Sequence, residues 1–456
     1  MSGLYGSLSI ALSSLFASQE ALETTANNVA NATTPGFTRQ RPVLVPRDPV
    51  LFGNLTMGTG VDLQKLESLR DPILELRLNQ GTQDQGKLDA SLGALQQIEA
   101  MFSGTDSGIG DAISKFFDSV QQLSTDPSNM ALRQGLLTAA GNLASAFNNA
   151  ATNLQTQRAN LDLNVSQTVG QVNNLTQQIA AVNQQIASLE NSHQDAGAFV
   201  DQRTNLIRQL SGLVDVQVIQ TEQSIALTTS NGTPLVSGVN SFQLSTQIGT
   251  DGMQHIFAET GEITASLTGG KLAGLLETRD QKIPALLGNL DQLAAGLATA
   301  LNTAHRSGFD LNGNPGTDLF VPPPAGGVGA ATALAVNITD PTLVAASSDG
   351  SVGSNGNLAV LSAVHDQAVV AGEKPLDFFS QVVFQAGSDT ANASSDLNAS
   401  NLILQQLQDQ RNSVSGVSLD EEAANMVRYQ TAYQAAARVI TTVNDLLDVA
   451  VNLGRY

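Results

Sequence analysis

The sequence predicts a mainly α-helical chain with an inserted β-rich domain. Three observations carry that prediction. Apolar residues repeat at seven-residue spacing at both chain ends, the spacing persists for about five heptads in the middle, and the period falls to two near residue 214.

At the N-terminal end, Leu4, Leu8, Ala11, Leu15, Leu22, Ala26 and Val29 alternate mostly by four and three. That spacing puts them in one stripe along a helix about 40 Å long at ~1.5 Å per residue. Ser18 and Thr25 read as interruptions of it. At the other end Leu419, Met426, Tyr433, Ile440 and Leu447 step by seven. Ala423, Gln430, Ala437, Asn444 and Val451 stand in the companion position, where Gln430 and Asn444 are expected to set register. Ser418 followed by Glu421 reads as a capping box opening this helix. Periodicity alone leaves open whether the two stripes face the protein's own core or a partner.

Between the ends, Leu88, Leu92, Leu95 and Phe102 mark one helix, and Leu154, Leu161, Val165, Val172, Ile179, Ile186 and Leu189 mark a long one. A third runs from Leu286 to Ala304, started or kinked by Pro284, and a fourth includes Leu397, Leu404, Leu407 and Val414. Together they read as a long antiparallel bundle with wet Gln- and Asn-rich outer faces. Val214, Val216 and Val218 alternate, as do Ile225, Leu227 and Thr229; Asn231-Gly232 and Gly249–Gly252 then supply turns. The expected domains are residues 1–59 with 415–456 as paired, coiled-coil-like terminal helices, 60–211 with 269–320 and 358–414 as the bundle, and 212–268 as a small outer β domain. Residues 321–357 form a loop-rich segment not assigned to any of them.

The chain of 456 residues carries a net charge of −20. Residues 1–60 are net zero and 415–456 are net −2, so the middle holds nearly all of the acidity. Nearly neutral ends suit burial in an assembly, and an acidic middle suits water. A field of that sign disfavours nucleic acid and anionic membrane surfaces. Without cysteine there is neither disulfide nor thiolate metal site. No basic n-region opens the chain and no apolar run reaches the ~18 residues needed to span a bilayer, so a soluble, uncleaved protein is expected.

Chemistry has few candidates. His193, His255, His305 and His365 fall in different elements, and none has a metalloprotease spacing. Asp310-Leu311-Asn312-Gly313-Asn314-Pro315-Gly316-Thr317-Asp318 begins like a calcium loop. Its sixth position is Pro315 rather than Gly and its twelfth is Val321 rather than Glu, so it reads as an Asx-rich turn. Gly327-Val328-Gly329 follows prolines, not a strand, and is a weak nucleotide signal. No catalytic residue, cofactor or metal is expected.

The most specific string is Asn28-Val29-Ala30-Asn31-Ala32-Thr33-Thr34-Pro35-Gly36-Phe37. Physically it ends the first helix, because Pro35 forces Thr34 into extended geometry and Gly36 admits a turn. It also resembles the N-terminal signature of the flagellar axial family of rod, hook and hook-associated proteins, N-[IV]-A-N-x-x-T-P-G-[FY]. Within that family, Phe37-Thr38-Arg39-Gln40, Asp201-Gln202-Arg203 with Leu206 and Leu210, and Phe309–Gly313 with Leu319-Phe320 are similar to the branch that joins hook to filament. Asp420-Glu421-Glu422, Gln430, Tyr433 and Ala435 are similar to its C-terminal helix. The resemblance is weakest over residues 321–395.

The resemblance implies a secreted, non-enzymatic structural subunit at the extracellular hook–filament junction, exported by the flagellar type III route without a cleaved signal. It implies four partners: copies of itself in a ring, the flagellar hook protein, a second junction hook-associated protein, and an export chaperone on the C-terminal helix. The expected assembly interface comprises Leu8, Leu15, Leu22, Asn28, Val29, Asn31, Pro35, Gly36, Phe37, Leu419, Met426, Tyr433, Ile440 and Leu447. Before assembly, each terminal helix is expected to lack a long partner and to be largely disordered. The rival reading is a secreted adhesin with a β head on a helical stalk.

Overall fold

The computed structural model describes residues 2–52, 55–102, 108–192, 194–220 and 225–453, so His193 lies outside them. The chain is mainly helical and forms two compact units. The first comprises Met1–Gln83, Gln171–Gln243 and Ser400–Tyr456, and the second Asp84–Gly170 and Leu244–Ala399.

In the first unit, α1 (Ser2–Ala30) stops where its sequence supplies the stop. The Asn31 amide turns back to Asn27 O, Thr34 N donates to Asn31 O, and Phe37 N donates to Thr34 O. Gly36 takes φ +82°. The chain then forms β1 (Gln40–Pro46), β2 (Val50–Phe52), β3 (Leu55–Met57) and β4 (Val61–Ser68), with β1 antiparallel to β4 and β2 to β3. The sequence reading assigned no strands here; Pro42 and Pro46 obscure the pattern, yet a two-stranded ribbon has free edges where prolines are tolerated. α2 (Pro72–Phe102) follows. Its start packs through Leu74 and Leu78 against Leu404 and Leu407 of α10 (Pro375–Ser415).

The end of α4 (Met130–Asn191) and α5 (Gly197–Leu213) lead into a four-stranded antiparallel sheet, β5 (Gln217–Gln220), β6 (Ile225–Thr228), β7 (Pro234–Ser237) and β8 (Asn240–Ser241). The Asn231-Gly232 turn sits between β6 and β7 with Gly232 at φ +86°, the positive φ that the dipeptide was expected to admit. α11 (Leu419–Leu453) closes the unit.

The second unit contains α3 (Ile109–Thr125), α6 (Gly270–Glu277), α7 (Ile283–Arg306), α8 (Ala330–Ala333) and α9 (Gly356–Ala363). It also holds a three-stranded sheet of β9 (Ser245–Ile248), β10 (Gln254–Ala258) and β11 (Gly261–Glu262), so the described residues of the β-rich stretch form two sheets, one in each unit. Leu290, Leu293, Leu297 and Leu301 of α7 are fully buried, as are Phe116 and Phe320, whose rings lie 6.1 Å apart. Buried Arg279 is held by Asp162 and Asp280 and donates to Gln254 O (2.8 Å), fastening β10 to α4. Pro284 stands in the first turn of α7, directly after a π-helical turn, Thr278–Lys282. The loop-rich segment 321–357 lies in this unit, with Val344, Ala345 and Ala346 buried. At Asp310, Oδ1 accepts from the amides of Asn312 and Asn314 (2.8 Å each), which is the expected Asx turn.

Candidate functional site: the terminal helix pair and its clasp

α1 packs along α11 and, on another face, against β1 and β4. The last turn of α1 meets the first turn of α11 through Asn28 and Glu422, so the two helices run antiparallel. The buried and half-buried positions of α1 separate into two faces. Leu4, Leu8, Ala11, Leu15, Ser18, Leu22 and Thr25 form the heptad face; Ser13, Ala17, Thr24 and Asn28 form the other. Ser13 Oγ accepts from Val61 N (3.2 Å), placing that second face on the ribbon. Ser18 and Thr25 are therefore buried members of the seam rather than breaks in it.

On α11, Met426, Tyr433, Ile440 and Leu447 are half-buried, as their spacing requires. The companion row, however, is Glu422, Tyr429, Ala436, Val443 and Ala450, one residue earlier than the sequence suggested. Gln430 and Asn444 are exposed, and the buried polar residue of the companion row is Glu422, only 2% exposed. The slip has a simple cause. Small Ala423 and Ala437 fit a heptad as well as Ala436 does, and the alanine-rich helix offers two phases.

At its base the pair is closed by a buried polar clasp. Asn28 Nδ2 donates to Gln40 O (2.8 Å) and to Glu422 Oε2 (3.2 Å), while Gln40 N donates to Asn28 Oδ1 (3.0 Å). Arg39 Nε donates to Glu422 Oε1 (2.7 Å), its Nη1 to Glu421, and its backbone N to Ser415 O (2.9 Å). Burial pulls the Arg39 guanidinium down, but Glu421 and Glu422 more than offset it and hold it above its ordinary value. Ser418 caps α11 through a long contact to Glu421 N (3.5 Å); the Glu421 carboxylate goes to Arg39 rather than back to the cap. Thr38 N donates to Asp201 Oδ2 (3.0 Å), and Arg70 takes the other oxygen. Arg411 Nε reaches Glu75 (2.8 Å) and its Nη2 reaches Gly36 O (2.9 Å), while Arg208 holds the second Glu75 oxygen (2.6 Å). The φ of Gly36 favours glycine, and a Cβ there would sit 2.1 Å from Asn205 Oδ1, so the Asn205 side chain would have to swing aside.

Of the remaining residues singled out in the sequence, Asn31, Gly36 and Phe37 are half-buried beside the clasp, Pro35 is exposed, and Val29 and Leu419 are 36% and 57% exposed. The sequence reading missed a different set. Tyr5, Leu12 and Phe16 lie exposed on the outer flank of α1, and Val439, Leu446 and Val449 on that of α11. Each helix thus carries a second apolar stripe that its pairing leaves uncovered.

This architecture has counterparts. Flagellar hook-associated protein 1 of Bacillus subtilis is 30% identical, over 99% of this chain and 99% of that one. The chain belongs to the flagellar hook-associated protein 1 family. The member from Escherichia coli is 26% identical over 97% of this chain and 98% of its own. A family model for the helical domain of flagellar hook-associated protein FlgK matches residues 95–320. Two further models, for flagella basal body rod protein and for the C-terminal part of the rod protein FlgEFG, match residues 8–38 and 408–453. Those two ranges take in most of the helix pair and much of its clasp. The solved structure of the flagellar hook junction protein FlgK from Burkholderia pseudomallei superposes with a TM-score of 0.68 at 17% identity, covering 74% of this chain and all of that one, and so shares its fold. Membership in the hook-associated protein 1 family makes this a structural component of the flagellum. No helix among the described residues is long and apolar enough to cross a membrane.

Proposed function

We propose that the chain is a non-enzymatic subunit that joins the flagellar hook to the filament outside the cell, and that it assembles through its terminal helix pair. The observation that carries this reading is the uncovered second stripe on each helix of the pair. Tyr5 and Phe16 are 60% and 61% exposed and Leu446 is 49% exposed, large apolar side chains ranged along the outside of the pair, where a partner's surface would cover them. Neighbouring copies in a ring cover these stripes. The hook protein lies on one side and a second junction hook-associated protein on the other. An export chaperone shields the same surface of α11 before secretion.

The isolated pair is correspondingly marginal. The sequence led us to expect unpartnered ends, whereas in the structure each end has the other. Yet the fully buried seam positions are mostly small or polar, Ala11, Ser18, Thr25, Glu422 and Ala436 with Val443, while the leucines, Met426, Tyr433 and Ile440 are only half-buried, so closing the helices leaves part of their apolar area uncovered. Ordering two long helices for so small a gain leaves them easily opened, which suits passage through a narrow export channel.

Two of the histidines are held in contacts that join one segment of the chain to another. Both ring nitrogens of buried His305 are engaged, by Thr317 O and Ala345 N, and His255 sits between two carboxylates. The test is deletion of the gene followed by electron microscopy. The expected strain bears hooks without filaments and sheds flagellin into the medium; a strain that swims normally refutes the junction role and favours the adhesin.

A further inference from the structure

His305, in the last turn of α7, is fully buried, and each of its ring nitrogens faces a backbone group. Nδ1 meets Thr317 O and Nε2 meets Ala345 N (2.9 Å). A carbonyl oxygen only accepts and a backbone amide only donates, so Nδ1 carries the hydrogen and Nε2 keeps its lone pair. The contacts thus fix a neutral ring in one tautomer. A second proton, on Nε2, would set two N–H donors against each other and leave the Ala345 amide unpaired away from water. The segment that His305 holds is also held by a buried cation. Arg133, at the start of α4, donates through Nη1 to Val344 O (2.8 Å) and Pro341 O (3.2 Å) and through Nε to Pro127 O (2.6 Å). Its charge opposes a second proton on His305, whereas Asp318, paired with Arg306 (2.8 Å), favours one. Asp310 acts on Arg133, Asp340 is exposed and accepts from Thr342 N (2.9 Å), and α9 contributes the neutral Asn357, whose Nδ2 donates to Ala345 O (2.7 Å). Burial pulls the ring below its ordinary 6.5 and Arg133 adds to that, against the Thr317 carbonyl and Asp318.

We propose that His305 is an acid-operated latch on residues 341–345. Neutral, it fastens the segment to α7. Protonated, it releases the Ala345 amide, and the segment opens to uncover Val344, Ala345 and Ala346, all fully buried when it is closed. The like charge on Arg133 drives the same movement. Phe309 and Ser347, joined by both of their backbone pairs (2.8 and 3.2 Å), mark the end of the segment that stays closed. Opening also breaks the Asn357 bond, so acid raises the share of open molecules without emptying the closed state. The sign follows from the ring's lowered value: the latch is complete above about 6.5 and is lost as pH falls from there toward the folded value. Within that window opening takes up one proton, so the open population rises up to about tenfold for each pH unit. The latch belongs to the chain alone and holds whatever the chain joins.

The test uses the purified full-length chain. Nitrogen NMR of the His305 ring reads its tautomer and titration, and amide exchange at Ala345, divided by the intrinsic rate at each pH, reads the opening. The expected ring carries its hydrogen on Nδ1 at neutral pH and titrates below 6.5, and Ala345 opening climbs by up to about tenfold per pH unit before levelling. His305→Gln keeps a side-chain oxygen that can accept from Ala345 N but cannot take up the proton, so its Ala345 opening stays flat over the same range. Asp318→Asn, at a residue outside the latch contacts, removes the charge that favours the proton. The His305 titration then falls further, and the rise in opening extends to more acid pH. This second variant decides the matter if His305→Gln does not fold. A ring that titrates at or above 6.5, or the opposite tautomer, overturns the latch. So does Ala345 opening that is flat with pH in the parent, or a slope that survives in His305→Gln, because another group then drives it. An Asp318→Asn chain whose His305 titration is unmoved or raised overturns it as well.

Discussion

Phe16→Asp separates the surface made for neighbours from the surface made for the chain itself. Phe16 lies on the outer flank of α1 and is 61% exposed, so nothing within the chain depends on most of its ring. A phenylalanine side chain offers about 200 Å², so a neighbour can cover about 120 Å² of it. At ~25 cal/mol per Å² that burial stabilises assembly by about 3 kcal/mol per subunit, a factor of roughly 150 in affinity. The aspartate forfeits this and adds the penalty of a carboxylate at a dry contact. In the purified chain, where the site faces water, the same change alters stability by no more than about 0.5 kcal/mol. The assay pairs thermal unfolding of the purified variant with electron microscopy and immunoblotting of cells and medium. The expected result is a normally folded, normally exported subunit that fails to carry filaments. Ile440→Asp, in the half-buried seam, should instead weaken both the pair and the assembly. Normal filaments on Phe16→Asp, or a Phe16→Asp chain as destabilised as Ile440→Asp, would refute the division into seam and outer stripe.

The other predictions concern the clasp and the outer sheet. Glu422→Gln removes a buried partner from Arg39 and Asn28 and destabilises the pair by about 2 kcal/mol, the low end for such a loss because Glu421 remains; proteolysis within α11 accelerates by up to roughly 30-fold. Glu421→Gln, at a 62% exposed carboxylate, changes it less than about threefold, and equal effects of the two would contradict the clasp. Gly36→Ala costs about 2 kcal/mol from its left-handed backbone and its collision with Asn205, and adding Asn205→Ala restores only part of the loss; a neutral Gly36→Ala would remove the turn from the account. His255, bonded through Nδ1 to Glu262 (2.6 Å) and through Nε2 to Asp251 (3.1 Å), is held above its usual 6.5 by those two carboxylates. Its contribution is complete below the unfolded value and fades as pH rises through the folded one, so amide exchange at β10–β11 quickens in that alkaline-going window. NMR titration of Glu262→Gln should bring His255 down toward 6.5, and an unmoved value would reject the pairing.

The helical frame was legible because its signals are repeated many times. Leu154 through Leu189 and Met426 through Leu447 keep one phase over several turns, and no single residue decides them. The end of α1 was legible for a different reason, since proline and glycine constrain their own backbone. The clasp was not, because Asn28 meets Glu422 and Glu75 meets Arg411 across hundreds of residues, and no local pattern marks such pairs. The phase of the α11 companion row was lost to alanines that satisfy either choice. The strands at 40–68 hid behind Pro42 and Pro46. The outer stripes escaped because Tyr5, Leu12 and Phe16 are sparse beside the fuller seam, and a count of heptads selects the fuller one.

Amide hydrogen exchange, compared between the purified chain and flagella in which it is assembled, bears most directly on whether the helix pair is completed by neighbours. Amides of α1 and α11 should exchange quickly in the free chain and slowly after assembly, while those of α7 stay equally protected in both. Protection of α1 and α11 that already matches α7 in the free chain, and does not rise on assembly, would contradict the account.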